Sequence, residues 1–242
     1  DPFLFGLSSG AAAGAVIVIT VTGNFLGFWT LPAAAFMGGL VSSVIVLGLF
    51  GKLAKQSPSQ MVLAGLAVSF LFLSLTYFLI FAGDQRAAHS VLFWTLGGLG
   101  LANWKVLPIA LMGLISIFAF AITTHRSLDA LLAGDETAVT LGVNVKLYRQ
   151  VAFLICAFAT ASFVALSGVI GFVGLMVPHL ARGLVGPLHG GLLITSAVIG
   201  AVLLLLSDIA ARTLMAPQEL PIGALTTSIG AIFVLYLVRR TA

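Results

Sequence analysis

The sequence predicts an all-α, polytopic integral membrane protein, and its composition carries that prediction. Of 242 residues, 60% are hydrophobic and only 7% are charged. The mean hydropathy is +1.20, well above the range of soluble globular domains. Because a bilayer core about 30 Å thick needs roughly 20 apolar residues per helix, the chain can supply about seven or eight spans. We expect a single transmembrane domain, residues 1–242, with little chain outside it.

Seven apolar segments of the chain are the candidate membrane helices. They are residues 7–22, 29–50, 61–82, 104–122, 148–170, 192–215 and 222–238. An eighth apolar segment is Val173–Val185, which is shorter than the others. Because Pro178, His179 and Arg182 interrupt it, we expect a short or broken helix buried in protein. The prediction is therefore of about eight helical elements.

Glycine is abundant, at 27 residues, and often lies within the candidate spans. Small residues let helices approach closely in lipid, which accounts for most of these positions. The triplet Gly168, Gly171 and Gly174 differs, because it has three-residue spacing and shortly precedes Pro178. This pattern favours a break over a straight span. Broken membrane helices border cavities, so we expect a cavity here.

Positive charges predict the orientation, because short cytoplasmic loops are enriched in Lys and Arg. With the short segment counted as a span, eight such residues lie on one side: Lys52, Lys55, Arg126, Lys146, Arg149, Arg182, Arg239 and Arg240. Three lie on the other side: Arg86, Lys105 and Arg212. We expect a cytoplasmic C-terminus, a cytoplasmic loop at residues 125–149 and an external stretch at 83–103. The scattered cations argue against nucleic-acid binding.

Two short matches to catalytic motifs fail on their context. Residues 6–10 fit the G-x-S-x-G pattern of hydrolases, but that pattern requires a preceding strand. We expect Ser8 or Ser9 to cap the first helix instead. A Phe-Gly-Lys run resembles the end of a Walker A loop, but Val46 replaces the required Gly and Leu53 replaces Ser or Thr. The chain is not predicted to be an enzyme, and ATP hydrolysis requires a separate subunit.

No metal site and no cofactor are predicted. The single cysteine, Cys156, lies in an apolar run, so neither a disulfide framework nor a cysteine-based zinc site is available. The four histidines have no metal-ligand spacing: His89, His125, His179 and His189.

Two groups of charged residues are candidates for contacts with partners. Asp208 and Arg212 have the spacing of a same-face helical ion pair. They are either a structural pair or a site where Arg212 binds an acidic group of a partner. In the loop at 125–149, two short helices separated near Gly134 fit the pattern. That loop is either a plain connector or a docking surface for a soluble subunit.

Several runs of residues carry a family resemblance. They are GDETA at 134–138, LGV at 141–143, GVIGFVGLMVPHLAR at 168–182, LSDIAAR at 206–212 and ELPIG at 219–223. Upstream runs are DPF at 1–3, LSSGA at 7–11 and FW at 93–94 with glycine at 97. Together they resemble the permease family of iron-siderophore, haem and cobalamin ABC importers, over essentially the whole chain. Members of that family have ten helices, so we expect the first two to be missing from this sequence.

The resemblance implies roles for particular residues. The residues that contact the ATPase would be Leu132, Gly134, Asp135, Glu136, Thr137, Ala138, Leu141 and Gly142. Arg212 would pair with a glutamate of the substrate-binding protein. The helix break and pathway would involve Gly168, Gly171, Gly174, Pro178, Leu220, Pro221 and Gly223. The helices at 61–82 and 220–238 would border the central pathway.

The resemblance also implies the partners and the function. We expect a homodimer of permease subunits, two ATP-binding cassette subunits and a periplasmic or lipid-anchored binding protein. The expected function is import of an iron chelate, haem or cobalamin across a bacterial inner membrane by alternating access, with an oxyanion such as molybdate also open. Two alternatives remain: a proton-coupled secondary transporter using Asp208 or His179, and an intramembrane serine hydrolase using Ser8 or Ser9 with His179.

Overall fold

A computed structural model describes residues 5–23, 27–51, 58–100 and 102–241. Within these ranges the chain is helical and contains no β-strand. The helices are α1 Leu7–Ile17, α2 Thr30–Gly51, α3 Pro58–Ala82, α4 Gln85–Thr95, α5 Leu107–Leu132, α6 Asp135–Thr140, α7 Val145–Ser167, α8 Val173–Val185, α9 His189–Thr213 and α10 Ile222–Thr241. A π-helical turn at Val18–Thr22 extends α1, and a 3-10 turn at Gly27–Trp29 precedes α2.

All eight predicted membrane elements are present as helices. Six of them, α2, α3, α5, α7, α9 and α10, are long and apolar enough to cross a membrane. The other two, α1 and α8, are shorter apolar helices. The long helices also expose their apolar side chains: in α5, of 26 residues, only Gly113 is buried. An apolar helix that is exposed on most sides requires lipid or a partner subunit around it.

Helix α1 is the buried centre of the bundle and packs against α2, α3 and α7. Every residue from Leu7 to Val16 except Ser9 is buried. Its contact with α2 depends on glycine, because a β-carbon at Gly14 would overlap the carbonyl group of Ala34. A β-carbon at Gly38 would in the same way overlap the carbonyl group of Gly10. The glycines therefore bring the two helix backbones into direct contact.

The start of α1 differs from the prediction that Ser8 or Ser9 caps it. The N-cap residue is Gly6, whose φ of 75° lies in the left-handed region, and both serines lie inside the helix. The Ser9 hydroxyl donates a hydrogen bond to the Gly6 carbonyl oxygen at 2.9 Å. The Ser42 hydroxyl of α2 donates to the same oxygen at 2.6 Å. The Gly6 carbonyl oxygen thus accepts hydrogen bonds from Ser9 and from Ser42. Ser8 and Ser9 follow the N-cap residue, so neither of them caps α1.

Two connections contain more helix than the sequence analysis predicted. The stretch at 83–103, which the charge distribution predicts to be external, includes α4, whose first turn is capped by a hydrogen bond from Ala87 N to Asp84 Oδ1 at 2.6 Å. In the loop at 125–149, the prediction of two short helices is wrong for the first one. It is the end of α5, which continues without interruption to Leu132. No glycine or proline lies between residues 123 and 132 to end the helix earlier.

The break predicted from the glycine triplet is present at residues 168–172, before α8, whereas α8 itself is short but not broken at Pro178. Helix α7 ends at Ser167, because Gly168 has a φ of 64°, and regular structure resumes at Val173. Pro178 lies inside an α8 that is continuous. A proline in the second turn of a helix removes only one helical hydrogen bond, and the carbonyl that its ring faces belongs to Gly174 near the helix start. That location makes the proline tolerable.

We predict that Gly38→Val destabilises the protein by roughly 1–3 kcal/mol, because the new side chain would force α1 and α2 apart. The measurement is the thermal unfolding midpoint in detergent. The matched control is Gly48→Val, on the same helix, where a β-carbon meets no atom within 4 Å. Both variants carry the same change in helix propensity, so equal midpoints for the two would contradict the packing role of Gly38.

Candidate functional site

Predicted site residues gather at two opposite ends of the helix bundle. At one end, called the loop end, the end of α2, the helix α6 and the start of α7 meet around Phe50, Asp135 and Arg149. At the other, called the pocket end, the ends of α4 and α7 and the segment before α10 meet around Trp94, Gly168 and Pro221. The site residues therefore form two sites.

At the loop end, glycine sets the turn between α5 and α6. Gly134 has a φ of 107°, a conformation that other residues rarely adopt. Helix α6 follows at once, with Asp135 and Glu136 in its first turn, where carboxylates stabilise the positive end of the helix dipole. The Thr137 hydroxyl donates back across the turn to the Ala133 carbonyl at 3.2 Å. This local chemistry fixes the direction in which α6 leaves α5.

The short helix α6 contacts both α5 and α7, and one buried residue and two polar contacts hold it in place. Ala138 is fully buried, and its carbonyl accepts a hydrogen bond from Val143 N at 2.9 Å. Arg149 Nη2 lies 2.8 Å from Asp135 Oδ1. Because this ion pair is largely exposed, it contributes only about 0.2–1 kcal/mol. The buried alanine is therefore the stronger anchor of α6.

The outer side of the loop end is apolar and uncovered. Leu132, Val139 and Leu141 are 51%, 60% and 67% exposed. Beside them is a groove of about 480 Å³ with both carboxylates and cations in its wall, lined by Phe50, Asp135, Glu136, Val139, Val145, Lys146 and Arg149. Apolar side chains rimmed by charges are typical of a protein-binding surface. Gly142, with a φ of 84°, ends α6 so that Leu141 stays in this surface.

At the pocket end, three non-helical segments of the chain, together with residues that follow α1 and residue Leu31 of α2, line a cavity of about 690 Å³. The three segments follow α4, follow α7 and precede α10, and they contribute Gly97, Gly168 and Pro221 among others. The wall is mainly apolar, with Phe93 and Trp94 as its aromatic groups; its polar side chains are Ser90, Ser167 and Glu219.

Glycines let these three segments interlock. A β-carbon at Gly168 would overlap the carbonyl of Trp94, and one at Gly97 would overlap the carbonyl of Val169. A β-carbon at Gly223 would overlap the Leu96 carbonyl. The segments also bond directly, with Gly98 N donating to the Ser167 carbonyl at 2.7 Å.

The predicted pathway residues are divided by the structure. Gly168, Leu220 and Pro221 line the pocket, and Gly223 packs beside it. Leu220 and Pro221 precede α10 rather than lying in it. Gly171 is buried in the break, whereas Gly174 and Pro178 lie in α8 and are not among the pocket-lining residues.

Sequence reasoning did not single out Phe172 as a break residue. Phe172 has a φ of 65°, the left-handed region that non-glycine residues rarely adopt. Its side chain packs against α10 at Gly230, where an added β-carbon would overlap the Phe172 ring. Phenylalanine carries no sequence signal for this backbone conformation, so only the tertiary contact identifies it.

Arg212 has two carboxylate neighbours in its own chain. Its Nε atom lies 3.0 Å from Asp208 Oδ2, the pair predicted from their spacing. Its Nη1 atom lies 3.6 Å from Glu219 Oε1, and Glu219 lines the pocket. Arg212 is 44% exposed and so remains accessible at the pocket end. Glu219 was noted in the sequence only as part of a motif, because its pairing with Arg212 depends on the turn between α9 and α10.

Comparison with known proteins decides the family. A model described as the FecCD transport family matches residues 1–240. The chain belongs to this family. The hemin transport system permease of Yersinia pestis is 37% identical over 243 residues, which cover 99% of this chain and 72% of that protein. The cobalamin import system permease of Halobacterium salinarum is also 37% identical over 243 residues, covering 99% and 63%.

A solved structure has the same fold. It is an inward-facing conformation of an ABC transporter assigned to the metal-chelate type. The TM-score is 0.88 at 32% identity, and the match covers 99% of this chain and 76% of that chain. The predicted fold class is confirmed, and the chain is a multi-pass permease subunit of an ABC importer. In this family the ATPase is on separate subunits, and the permeases generally work with a substrate-binding partner.

The two alternative functions receive less support from the geometry of the permease. Ser9 donates its hydroxyl to a backbone carbonyl, and His179 packs its ring against Phe233 at a centroid distance of 5.6 Å. Asp208 is paired with Arg212. Within the described ranges, no three His, Cys, Asp or Glu side chains are grouped to hold a metal ion. The absence of a cofactor stays a prediction.

We predict that Gly223→Ala disrupts the interlock at the pocket end, because its methyl group would overlap the Leu96 carbonyl. The expected cost is roughly 1–3 kcal/mol, with displacement of the segment that follows α4. The matched control is Gly98→Ala, which lines the same pocket but has open space around its added carbon.

The measurement uses Trp94, which lines the pocket and is only 9% exposed. In a background where Trp29 and Trp104 are replaced by phenylalanine, acrylamide quenching reports the exposure of Trp94 alone. We expect stronger quenching in Gly223→Ala than in Gly98→Ala. Equal quenching in the two variants would show that Gly223 does not hold the pocket wall.

Proposed function

We propose that this permease forms the membrane pathway of an ATP-driven importer for an iron chelate, haem or a related metal complex such as cobalamin. Its loop end would receive the ATPase, and its pocket end would receive the loaded binding protein. The observation that carries this proposal is the combination of an exposed apolar helix at one end with an interlocked cavity at the other. Alternating access would open the pathway first to one side and then to the other.

The proposed ATPase contact is formed by α6 and its flanking turns. Leu132, Val139 and Leu141 supply an apolar surface, and Asp135 with Glu136 adds negative charge at its edge. A short amphipathic helix that inserts into a groove is a common way to bind a partner. Because α6 contacts both α5 and α7, movement of this surface would pass to those two helices. Two ATP-binding subunits would act on a homodimer of this chain.

The proposed orientation has the loop end and the C-terminus in the cytoplasm of a cell whose inner membrane contains the importer. Support comes from the charge distribution of eight Lys and Arg against three. Of those eight, Lys52 and Lys55 lie outside the described residues. The pocket end would then face the periplasmic or external side, where a binding protein delivers cargo. There, Arg212 would replace one of its ion pairs with a carboxylate of its own chain by an ion pair with a carboxylate of the binding protein.

The pocket supports a bulky, largely apolar cargo. Among the described residues of its wall, Phe93 and Trp94 are the aromatic groups and Glu219 is the charged side chain. Such a wall suits a large chelate whose metal is enclosed by organic ligand. Relatives named for hemin and for cobalamin transport are equally identical to this chain, at 37%. Helices α3 and α10 would border the pathway around the dimer axis.

We predict that the double variant Val139→Glu and Leu141→Glu reduces co-purification of the ATP-binding subunits by tenfold or more, which corresponds to about 1.4 kcal/mol or above. Charges would replace the apolar surface that is exposed at the loop end. The measurement is the ratio of ATPase to permease after affinity purification of the co-expressed complex.

The matched control for this test is Val139→Ile with Leu141→Met, which keeps both side chains apolar at the same positions. It should keep the parent ratio. If the glutamate variant also keeps that ratio while its unfolding midpoint matches the parent, the assignment of α6 as the ATPase contact is wrong.

We predict that Arg212→Ala weakens binding of the substrate-binding protein by about tenfold, with a smaller loss for Arg212→Lys, since guanidinium binds carboxylate in a bidentate manner. The measurement is the dissociation constant for permease in nanodiscs at two salt concentrations. Lys105→Ala is the matched control, because it removes one positive charge from the same side without touching Arg212. Equal losses of affinity for Arg212→Ala and Lys105→Ala would contradict a specific ion pair at Arg212 and indicate only a general electrostatic attraction.

A further inference from the structure

A polar contact joins the last turn of α5 to the first residue of α9. Asp129 Oδ1 accepts a hydrogen bond from the backbone N–H of His189 at 2.8 Å. The same oxygen lies 2.8 Å from His189 Nδ1. Because an ionised carboxylate only accepts hydrogen bonds, Nδ1 of this histidine carries the proton. Both side chains are partly buried, with Asp129 27% exposed and His189 16% exposed.

The contact meets a need of α9 that the local sequence leaves open. The N-cap residue of α9 is Leu188, and its side chain supplies no capping hydrogen bond. The first N–H groups of a helix lack partners within the helix, and a carboxylate there is favoured by the helix dipole. Asp129, 60 residues earlier in the chain, supplies both the hydrogen-bond acceptor and the negative charge. His125, one turn earlier on α5, faces the same place, with its Cδ2 atom 3.9 Å from a β-carbon built at Gly190.

The position of this contact links the loop end to the pocket end. Asp129 lies three residues before Leu132 and five before Gly134, where α5 passes into the proposed ATPase contact. From His189, α9 runs 25 residues, about 37 Å, and reaches Asp208 and Arg212. Helix α8 packs along α9 and begins at the break beside the pocket. A shift of the α5 end therefore acts directly on the start of this helix pair.

We propose that Asp129 is a positioning residue that transmits movement of the loop end to α9 through His189, and so to the pocket end. The proposal rests on the proposed function, because it takes the loop end to be the ATPase contact. When nucleotide drives α6 and the end of α5, the carboxylate carries the start of α9 with it. Without the carboxylate, the ATPase still binds and hydrolyses ATP, but α9 does not follow.

The experiment uses the permease in complex with its co-expressed ATP-binding subunits in nanodiscs. Spin labels are placed on cysteines introduced at Leu214, the C-cap of α9, and at Phe81, near the end of α3; these residues are 64% and 90% exposed. The native Cys156 is replaced by alanine. Double electron–electron resonance spectroscopy gives the distance between the labels with and without MgATP and vanadate.

We expect a nucleotide-dependent shift of this distance in the parent, its loss in Asp129→Ala and its retention in Asp129→Asn, which keeps an acceptor oxygen. His189→Ala, which removes only the ring donor, should lose part of the shift. The matched control is Tyr148→Phe, which removes another hydrogen bond to α5, from the Tyr148 hydroxyl to Thr124 Oγ1 at 3.1 Å. That control should keep the full shift, since its bond joins α5 to α7.

The outcomes separate the two proposals. If the parent complex does not assemble or hydrolyse ATP, the proposed function fails. If it assembles and hydrolyses ATP but no label shift occurs, or the shift persists in Asp129→Ala, only the role of Asp129 is overturned. Where Asp129→Ala fails to assemble, the His189→Ala result decides: a full shift in that variant contradicts the proposal.

Discussion

Backbone N–H and C=O groups in a bilayer must find partners within the protein, and this constraint governs the pocket end. Three non-helical segments lie there, and their free backbone groups bond to carbonyls near the ends of neighbouring helices. Gly98 N donates to the Ser167 carbonyl, and Leu220 N donates to the Ala211 carbonyl. At Gly97, Gly168 and Gly223 the backbones approach so closely that an added β-carbon would overlap a carbonyl group. Non-helical backbone at membrane depth is tolerated only where it is buried in protein or lines a cavity, and these segments do both.

The same requirement for close approach organises the centre of the bundle. Small residues of α1 and α2 place the helix backbones in contact, and hydroxyls such as that of Ser42 bond to carbonyls instead of meeting lipid. A helix as short as α1 is too small to span alone. Its burial on all sides by α2, α3 and α7 removes the need to face lipid along its length. The longer helices around it present the apolar surface to the membrane.

The loop end works by a different balance, because water is available there. Its ion pair between Asp135 and Arg149 is exposed and weak, whereas Ala138 is buried and the apolar residues beyond it are uncovered. This arrangement keeps α6 attached to its own chain while leaving a surface for a partner. The contact between Asp129 and His189 then joins this end to α9, the helix that reaches the pocket end.

The sequence by itself determined the fold class, the eight membrane elements, the turn at Gly134 and the helical pairing of Asp208 with Arg212. These features are local: they follow from apolar length, from backbone conformations that only glycine adopts and from a spacing of four residues. Runs of residues in a fixed order also carried the family resemblance, which the match over residues 1–240 confirmed.

Tertiary structure alone decided how the break ends, how the cavity is closed and which distant residues meet. The glycine triplet predicted the break that begins at Gly168, but its last residue, Phe172, has a left-handed backbone that no sequence signal predicts and that packing against Gly230 holds. The pairs Asp129 with His189 and Arg212 with Glu219 depend on how helix ends come together in space. Periodicity and spacing describe one helix at a time, so they do not predict which residues of different helices are in contact.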